Sequence, residues 1–283
     1  MTAPAAPGPG RRVRPALVVA LAETLSERDW QIIDTVNRLR LVTGLQLERL
    51  TFADLQGRSR SVVRWRVLKR LVDWRVLAPL ARRVGGSLRG SAQLVYALDV
   101  VGERLLRLRR NLRQDEQRVR RAAVPGERFV RHTVAVSELY VSLIEQSRAG
   151  GFQVDEFLAE PASWCANGVG GWMKPDGYVV LSGADVTDHW WVEVDLATEA
   201  VPTLRGKFLA YVDFVSRGQL GPAGSVVPRV LVTVPSEERQ DTIDRVVAGL
   251  PAPAGELFRV VLYDAAAASL VATLHEPDDL PTG

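Results

Sequence analysis

The sequence has very little cysteine and histidine. Its 283 residues include one cysteine, Cys165, and three histidines, His132, His189 and His275. A single cysteine excludes an internal disulfide framework and a cysteine-based zinc site, and the scattered histidines lack the spacing of a metal-binding motif. No apolar run approaches the roughly 20 residues that a membrane-spanning helix needs. We therefore expect a cytoplasmic protein without a membrane partner.

Charge is divided unevenly between the two halves of the chain. Residues 26–110 contain 18 Lys/Arg and 8 Asp/Glu, a net charge of +10, whereas residues 129–283 contain 10 Lys/Arg and 21 Asp/Glu, a net charge of −11. This asymmetry suggests two domains with different partners. The basic half is the candidate for binding a polyanion. The acidic half either holds divalent cations or is simply well solvated.

Three short helices and a hairpin are predicted in the basic half. Ser26 with Asp29 three residues later approximates a capping box, which predicts a helix start. A second helix is expected from about Thr43 and a third after Gly57. Two strand-like runs, "LAPLARRV" and "AQLVYALD", flank the glycine-rich "GGSLRGS". This order is typical of a winged helix-turn-helix, with the third helix as the recognition helix and the glycine-rich segment as the wing.

The third helix is rich in cations. Six Lys or Arg side chains lie between Arg58 and Arg70, and Arg64 among them falls inside the apolar arc of the helix. One interpretation is a solvated charged face; the favoured one is a surface that contacts double-stranded DNA. The residues expected to make that contact are Arg58, Arg60, Ser61, Arg66, Lys69 and Arg70.

The acidic half alternates helix and strand patterns. A helix in "RFVRHTVAVSELYVSLIEQSR" precedes three strands, a helix, a strand, a helix and a last strand. The order predicts an α/β domain with a mixed sheet and helices on its faces. The complete expectation is a disordered tail at 1–25, a winged helix-turn-helix domain at 26–110, a charged linker at 111–128, an α/β domain at 129–270 and a tail at 271–283.

Two carboxylates lie one residue apart on an apolar strand. Glu193 and Asp195 in "HWWVEVDL" share one face because side chains alternate along a strand, and Asp176 begins the preceding strand. Clustered carboxylate oxygens suit magnesium or manganese, so a metal site of Asp176, Glu193 and Asp195 is predicted. Lys207, on the helix that follows, is placed to reach the same cleft. The alternative is an acidic pocket that holds no metal.

The order of these residues resembles the PD-(D/E)XK nuclease superfamily. Its signature is an Asp on one strand and Glu-x-Lys on the next, within a helix-strand-strand-strand-helix-strand core. Here "PDGYVV" supplies Asp176 and "VEVD" supplies Glu193, but Asp195 stands at the usual lysine position. Some members carry the lysine on the next helix, which Lys207 matches, and Glu138 stands where several members keep a further acid. The resemblance implies a catalytic set of these residues with one or two magnesium ions that activate water, while Lys207 helps to neutralise the phosphate.

The chain as a whole resembles a narrower group. "LSERDWQIIDTVNRLRLVTGLQLERL", "LKRLVDWRVL", "RHTVAVSELYVSL", "KPDGYVVL" and "VEVDLATEAVPTLRGKFLAY" together are similar to the replication-relaxation family of bacterial plasmids and integrative elements. The resemblance covers about residues 26–265. It implies a winged helix-turn-helix joined to a nuclease-like domain.

These resemblances define the expected function. We expect a homodimeric DNA-binding protein that acts in plasmid replication, mobilisation or their control, with replication or mobilisation proteins as possible partners. Two alternatives are a metal-dependent endonuclease or nickase and a dimeric winged-helix transcription regulator.

Overall fold

The chain divides into two compact units. The computed structural model describes residues 13–84, 93–110 and 125–275. Contacts cluster into Met1–Ser137, here called unit 1, and Glu138–Gly283, here called unit 2. The boundary falls inside one continuous helix, Glu127–Arg148. It therefore lies later in the chain than the domain boundary predicted at residue 129.

Unit 1 combines helices with a small antiparallel sheet. Its elements are α1 (Pro15–Thr24), α2 (Glu27–Leu39), β1 (Val42–Thr43), α3 (Gly44–Thr51), α4 (Gly57–Asp73), β2 (Leu77–Val84), β3 (Gln93–Leu98), α5 (Val100–Arg109) and the start of α6 (Glu127–Arg148). The three strands lie in the order β1-β3-β2. The predicted three helices and strand pair are confirmed. The segment at 85–91, predicted as the wing, lies outside the described residues.

Reciprocal capping fixes where α2 and α3 begin. The Ser26 hydroxyl accepts a hydrogen bond from the Asp29 backbone N–H at 3.2 Å, and the Asp29 carboxylate accepts one from the Ser26 N–H at 3.0 Å. Thr43 and Gln46 repeat this arrangement at the start of α3. Each pair satisfies N–H groups that a helix start otherwise leaves without partners. The capping box predicted at Ser26 is confirmed.

The N-terminal segment is ordered over part of the range that was predicted to be disordered. Helix α1 begins at Pro15. Proline has no backbone N–H, which costs nothing here because the N–H groups of a first helical turn have no acceptor within the helix. Val18 and Leu21 of α1 are buried, and α1 contacts α5. The prediction of a disordered tail is thus wrong for residues 15–24, because the apolar run there has a packing partner.

The start of α6 contributes to the core of unit 1. Val130 and Val134 of α6 are buried in one cluster with Leu41 and Val95. The Ser137 hydroxyl donates a hydrogen bond to the Leu41 carbonyl at 2.8 Å. The first turns of α6 are therefore part of this hydrophobic core.

Unit 2 contains a five-stranded mixed sheet with helices. After α6 its elements are β4 (Gln153–Ala159), β5 (Cys165–Ala166), β6 (Trp172–Met173), β7 (Gly177–Ser182), β8 (Thr187–Val194), α7 (Val201–Ser216), β9 (Arg229–Val234), α8 (Glu237–Ala248), α9 (Ala254–Leu257), β10 (Phe258–Leu262) and α10 (Ala266–Thr273). The sheet order is β10-β9-β8-β7-β4. Neighbours among β4, β7 and β8 are antiparallel, and neighbours among β8, β9 and β10 are parallel. The predicted α/β fold with a mixed sheet is confirmed.

Strand β8 lies at the centre of this sheet. Trp190, Trp191 and Val192 have no accessible surface, and the ring of Trp191 lies 5.3 Å from that of Tyr211 on α7. A carboxylate in such surroundings needs charged or hydrogen-bonding partners, because burial of a lone charge is costly. Glu193 and Asp195, at the end of this strand, are in that situation.

The end of unit 2 is also more ordered than predicted. Leu270 and Leu274 are buried at α10, so the predicted tail at 271–283 begins with helical residues. Positions 276–283 lie outside the described residues. None of the helices in the described part of the chain has both the length and the apolarity that crossing a bilayer requires.

Candidate functional site

Unit 2 brings three of the predicted site residues together around one ammonium group. Asp176 precedes β7, Glu193 lies on β8 and Lys207 on α7. The Lys207 Nζ forms an ion pair with Glu193 Oε2 and lies 3.8 Å from Asp176 Oδ1. Both carboxylates are buried, at 9% exposure for Asp176 and 4% for Glu193. The antiparallel pairing of β7 with β8 and the position of α7 produce this cluster.

The remaining oxygens of the two carboxylates also have partners. The Tyr211 hydroxyl donates to Glu193 Oε1, and the Val194 N–H donates to Asp176 Oδ2 at 2.8 Å. Tyr211 is one helical turn after Lys207, so both side chains lie on the same side of α7. Asp176, Glu193, Lys207 and Tyr211 form one hydrogen-bonded network, here called the lysine cluster.

Burial controls protonation in the lysine cluster. It raises the pKa of Glu193 from 4.5 to about 8; the Lys207 ammonium opposes this rise and the Asp176 carboxylate adds to it. Burial by itself lowers the pKa of Lys207, but the neighbouring Glu193 and Asp176 carboxylates outweigh it, so the net direction is upward. Burial, followed by Glu193, raises the pKa of Tyr211 well above its usual value. The raised pKa values favour a charged ammonium on Lys207 and a phenol on Tyr211, and they move the deprotonation of Glu193 upward in pH.

Asp195 lies outside the lysine cluster. Its Oδ2 accepts a hydrogen bond from Arg239 Nε on α8 at 2.5 Å, and its Oδ1 accepts one from the Ala197 N–H at 2.8 Å. Arg239 also donates to the Glu199 carbonyl at 2.9 Å. The Asp195 side chain is 2% exposed. These contacts indicate that Asp195 joins β8, the loop after it and α8.

The predicted metal ligands do not form a metal site as they are arranged. Among the described residues no three His, Cys, Asp or Glu side chains are grouped so as to hold a metal ion, so neither Asp195 nor Glu138 completes a set with Asp176 and Glu193. The Lys207 ammonium already lies against both of those carboxylates. Binding of magnesium or manganese stays a prediction that requires Lys207 to move away. Glu138 is half-buried on α6, and its catalytic role also stays a prediction.

In unit 1, three cations of α4 are engaged with neighbouring helices. Arg64 Nη1 lies 2.8 Å from Glu48 Oε2 on α3, and Arg60 donates to the Glu48 carbonyl at 3.0 Å. Arg70 Nη2 contacts both oxygens of the Asp29 carboxylate, at 2.6 and 2.7 Å. Asp29 is 1% exposed. Arg60 and Arg70, predicted to bind DNA, therefore hold α4 against α3 and α2.

The opposite face of α4 is exposed. Within the described part of the chain, the side chains of Arg58 and Arg66 have no hydrogen-bond or ion-pair partner. Lys69 pairs with Asp73 one turn later at 2.6 Å, and both side chains are about half exposed. At 100° per residue, six of the exposed side chains fall within an arc of about 140°. This outer face of α4 consists of Arg58, Ser61, Val62, Trp65, Arg66 and Lys69.

Three residues of these sites were missed by the sequence interpretation. Trp65 is 62% exposed on the outer face of α4; its helical phase, about 160° from Val67, was a signal that could have shown this. Tyr211 was not predicted as a site residue, although its spacing of four from Lys207 puts the two side chains together. Nothing local indicated that Arg239 would reach Asp195.

The fold and these contacts define a two-unit α/β protein with a partly basic, partly apolar helix face in unit 1 and a lysine cluster in unit 2. The chain belongs to the replication-relaxation family, whose model matches residues 33–230. The family resemblance of the sequence is thereby confirmed, and it connects the chain with replication or relaxation. No curated protein and no solved structure matches the chain.

Proposed function

We propose that the chain binds double-stranded DNA through α4 and acts in the replication, mobilisation or control of a plasmid or other mobile element. The observation that carries the proposal is the outer face of α4, where Arg58 and Arg66 have no protein partner among the described residues. Unpaired guanidinium groups on an exposed helix suit phosphate oxygens, which supply most of the affinity of such interfaces.

The element order of unit 1 supports this proposal. Helix α2, strand β1, helices α3 and α4, and strands β2 and β3 follow one another in the order of a winged helix-turn-helix. The short connection between α3 and α4 contains the buried Phe52. In such domains the second helix of the pair enters the major groove, and here that helix is α4.

The ion pairs on the inner side of α4 support the same role. Glu48 with Arg60 and Arg64, and Asp29 with Arg70, fix α4 against α3 and α2. A rigidly held helix presents its outer face without losing conformational freedom on binding. Paired cations position the helix, whereas unpaired ones are available to DNA.

A salt series on the full-length protein tests the proposal. Fluorescence anisotropy with a duplex of mixed sequence should show affinity that falls steeply with salt, with a slope of about −0.9 for each phosphate contacted. Arg66→Glu should weaken binding to every duplex and make the slope shallower by about one. Arg205→Glu is the matched control, since Arg205 is an exposed arginine of α7 in unit 2. Absence of binding at low salt would refute DNA recognition by α4. An equal loss of affinity in Arg66→Glu and Arg205→Glu would also refute it.

One observation favours a second function, a metal-dependent endonuclease. Asp176, Glu193 and Lys207 lie together at β7, β8 and α7, in an element order similar to that of PD-(D/E)XK nucleases. Nicking of a supercoiled plasmid with and without magnesium tests it. Magnesium-dependent nicking that disappears in Glu193→Gln would establish the endonuclease, and its absence at high protein concentration would leave DNA binding as the function.

A further inference from the structure

The outer face of α4 contains an apolar patch between its cations. Trp65 is 62% exposed and Val62 39% exposed, and they lie three residues apart on adjacent turns of the helix. Arg58 precedes the pair and Arg66 follows it. A large exposed indole is unfavourable in water, since burial of an aromatic side chain removes a large apolar area from solvent. A partner that covers Trp65 in a complex would therefore gain by offering it an apolar group.

We propose that Trp65 and Val62 contact the C5-methyl groups of pyrimidines in the major groove, so that α4 favours thymine over uracil and 5-methylcytosine over cytosine. The proposal rests on the DNA-binding function proposed above. The thymine methyl is the apolar group that the major groove displays, and apolar side chains read it directly. Phosphate contacts by Arg58 and Arg66 would set the position of the helix on the duplex. The methyl contact would distinguish methylated from unmethylated pyrimidines.

The charges around the patch favour DNA over a protein partner. Arg58 and Arg66, on either side of Trp65, have no carboxylate partner among the described residues. The carboxylates recorded near this part of α4 are engaged, Glu48 with Arg64 on the inner side and Asp73 with Lys69. A protein surface would have to supply carboxylates to match both arginines, whereas a duplex supplies phosphates along both edges of the groove.

Two pairs of duplexes isolate the methyl group. The first pair has alternating A·T sequence, with thymine in one member and uracil in the other; the second has alternating G·C sequence, with cytosine or 5-methylcytosine. Base pairing is the same within each pair, so only the methyl changes. Duplexes of about 20 base pairs accommodate a helix face roughly 17 Å long in several registers. Affinity is measured by anisotropy at about 0.1 M salt, where electrostatic binding persists.

The wild-type protein should bind the methylated member of each pair more tightly, by about four-fold for each methyl contacted, equivalent to about 0.8 kcal/mol. The double variant Trp65→Ala/Val62→Ala should bind both members of a pair equally and keep the salt dependence of the wild type. Trp65→Phe, which retains an aromatic ring, should keep part of the preference. Unchanged thermal melts by circular dichroism check that the variants are folded.

The possible failures are distinguishable. Salt-dependent binding without a methyl preference, or a preference that persists in Trp65→Ala/Val62→Ala, overturns this inference and leaves the DNA-binding function intact. Absence of binding to all four duplexes at low salt overturns the function itself. Sedimentation velocity supplies a further test: a change of oligomeric state in Trp65→Ala would assign the patch to a contact between copies of the chain and overturn the inference.

Discussion

The ammonium group of Lys207 forms an ion pair with the carboxylate of Glu193 and lies 3.8 Å from the nearer carboxylate oxygen of Asp176. One protein cation thus contacts both of these carboxylates, which the sequence predicted as metal ligands. Two consequences can be measured, one in the pH dependence of stability and one in the response to divalent cations.

Stability should depend on the protonation of Glu193. Its pKa is raised from 4.5 to about 8 in the folded chain. At a pH between these two values, the folded state therefore retains a proton that the unfolded state has released. The resulting stabilisation is fully present below the unfolded pKa and is lost as the pH rises through the folded pKa. Relative to Glu193→Gln, the free energy of unfolding of the wild type should fall over this range by at most about 1.4 kcal/mol per pH unit.

Urea unfolding of both proteins from about pH 5 to pH 8 measures this difference. Lys207, whose pKa is raised, stays charged throughout and does not add to the slope. Glu256→Gln, at an exposed carboxylate of α9, is the control and should follow the wild type. If the free energy of unfolding changed with pH in the same way for the wild type and Glu193→Gln, the raised pKa of Glu193 would be contradicted.

Manganese should compete with Lys207 for the two carboxylates. In Lys207→Ala the ammonium is gone, so millimolar manganese should raise the melting temperature by about 2–4 °C, as expected when a ligand binds only the native state at roughly ten times its Kd. The wild type should shift less, because the ion must displace a bonded ammonium. The double variant Lys207→Ala/Glu193→Gln should lose the effect. A shift in the wild type as large as in Lys207→Ala would show instead that Lys207 does not exclude the metal.

Arg70 should matter for folding and Arg66 should not. Arg70→Ala leaves the Asp29 carboxylate, which is 1% exposed, without its cation. This variant should lower the free energy of unfolding by about 1–3 kcal/mol. Arg66→Ala removes an exposed side chain with no partner in the described chain, and its effect should stay within about 0.5 kcal/mol. Chemical denaturation of the two variants compares these values. Similar stabilities would mean that the Arg70–Asp29 pair has no structural role.

Helix α1 should be part of the stable fold. Leu21 is 1% exposed, and its truncation in Leu21→Ala should cost about 2–5 kcal/mol, as for other buried leucines. Val19→Ala, at a site that is 43% exposed on the same helix, should be nearly neutral. Thermal melts of the two variants test this directly, and a neutral Leu21→Ala would restore the expectation of a disordered tail.

The features that could be predicted from the sequence depend on residues that are close to one another in the chain. The Ser26–Asp29 capping box marks the start of α2, and the pairing of β7 with β8, which are neighbours in both sequence and sheet, puts Glu193 and Asp176 side by side. Lys207 was expected near the same cleft because it lies on the helix that follows β8. For these features, the relevant interactions lie within one or two consecutive elements.

The features that the sequence did not predict depend on distant partners. Asp195 shares a strand face with Glu193, yet its carboxylate turns to Arg239 on α8, 44 positions away in the chain. Arg70 was assigned to DNA, but its partner is the carboxylate of Asp29, 41 positions earlier. The periodicity of apolar residues indicates which face of a helix or strand a charged side chain occupies. It does not identify which oppositely charged residue of another element will pair with that side chain.

The position of the unit boundary inside α6 constrains how this protein can exchange parts in evolution. Val130 and Val134 close the core around Leu41 and Val95, although they follow the charged segment at 111–128 that divides the sequence by composition. A recombination event in that segment would transfer unit 1 without these two valines, and the recipient would have to supply equivalent apolar residues at its own junction. Viable chimaeras within the family should therefore have their crossover points after residue 137.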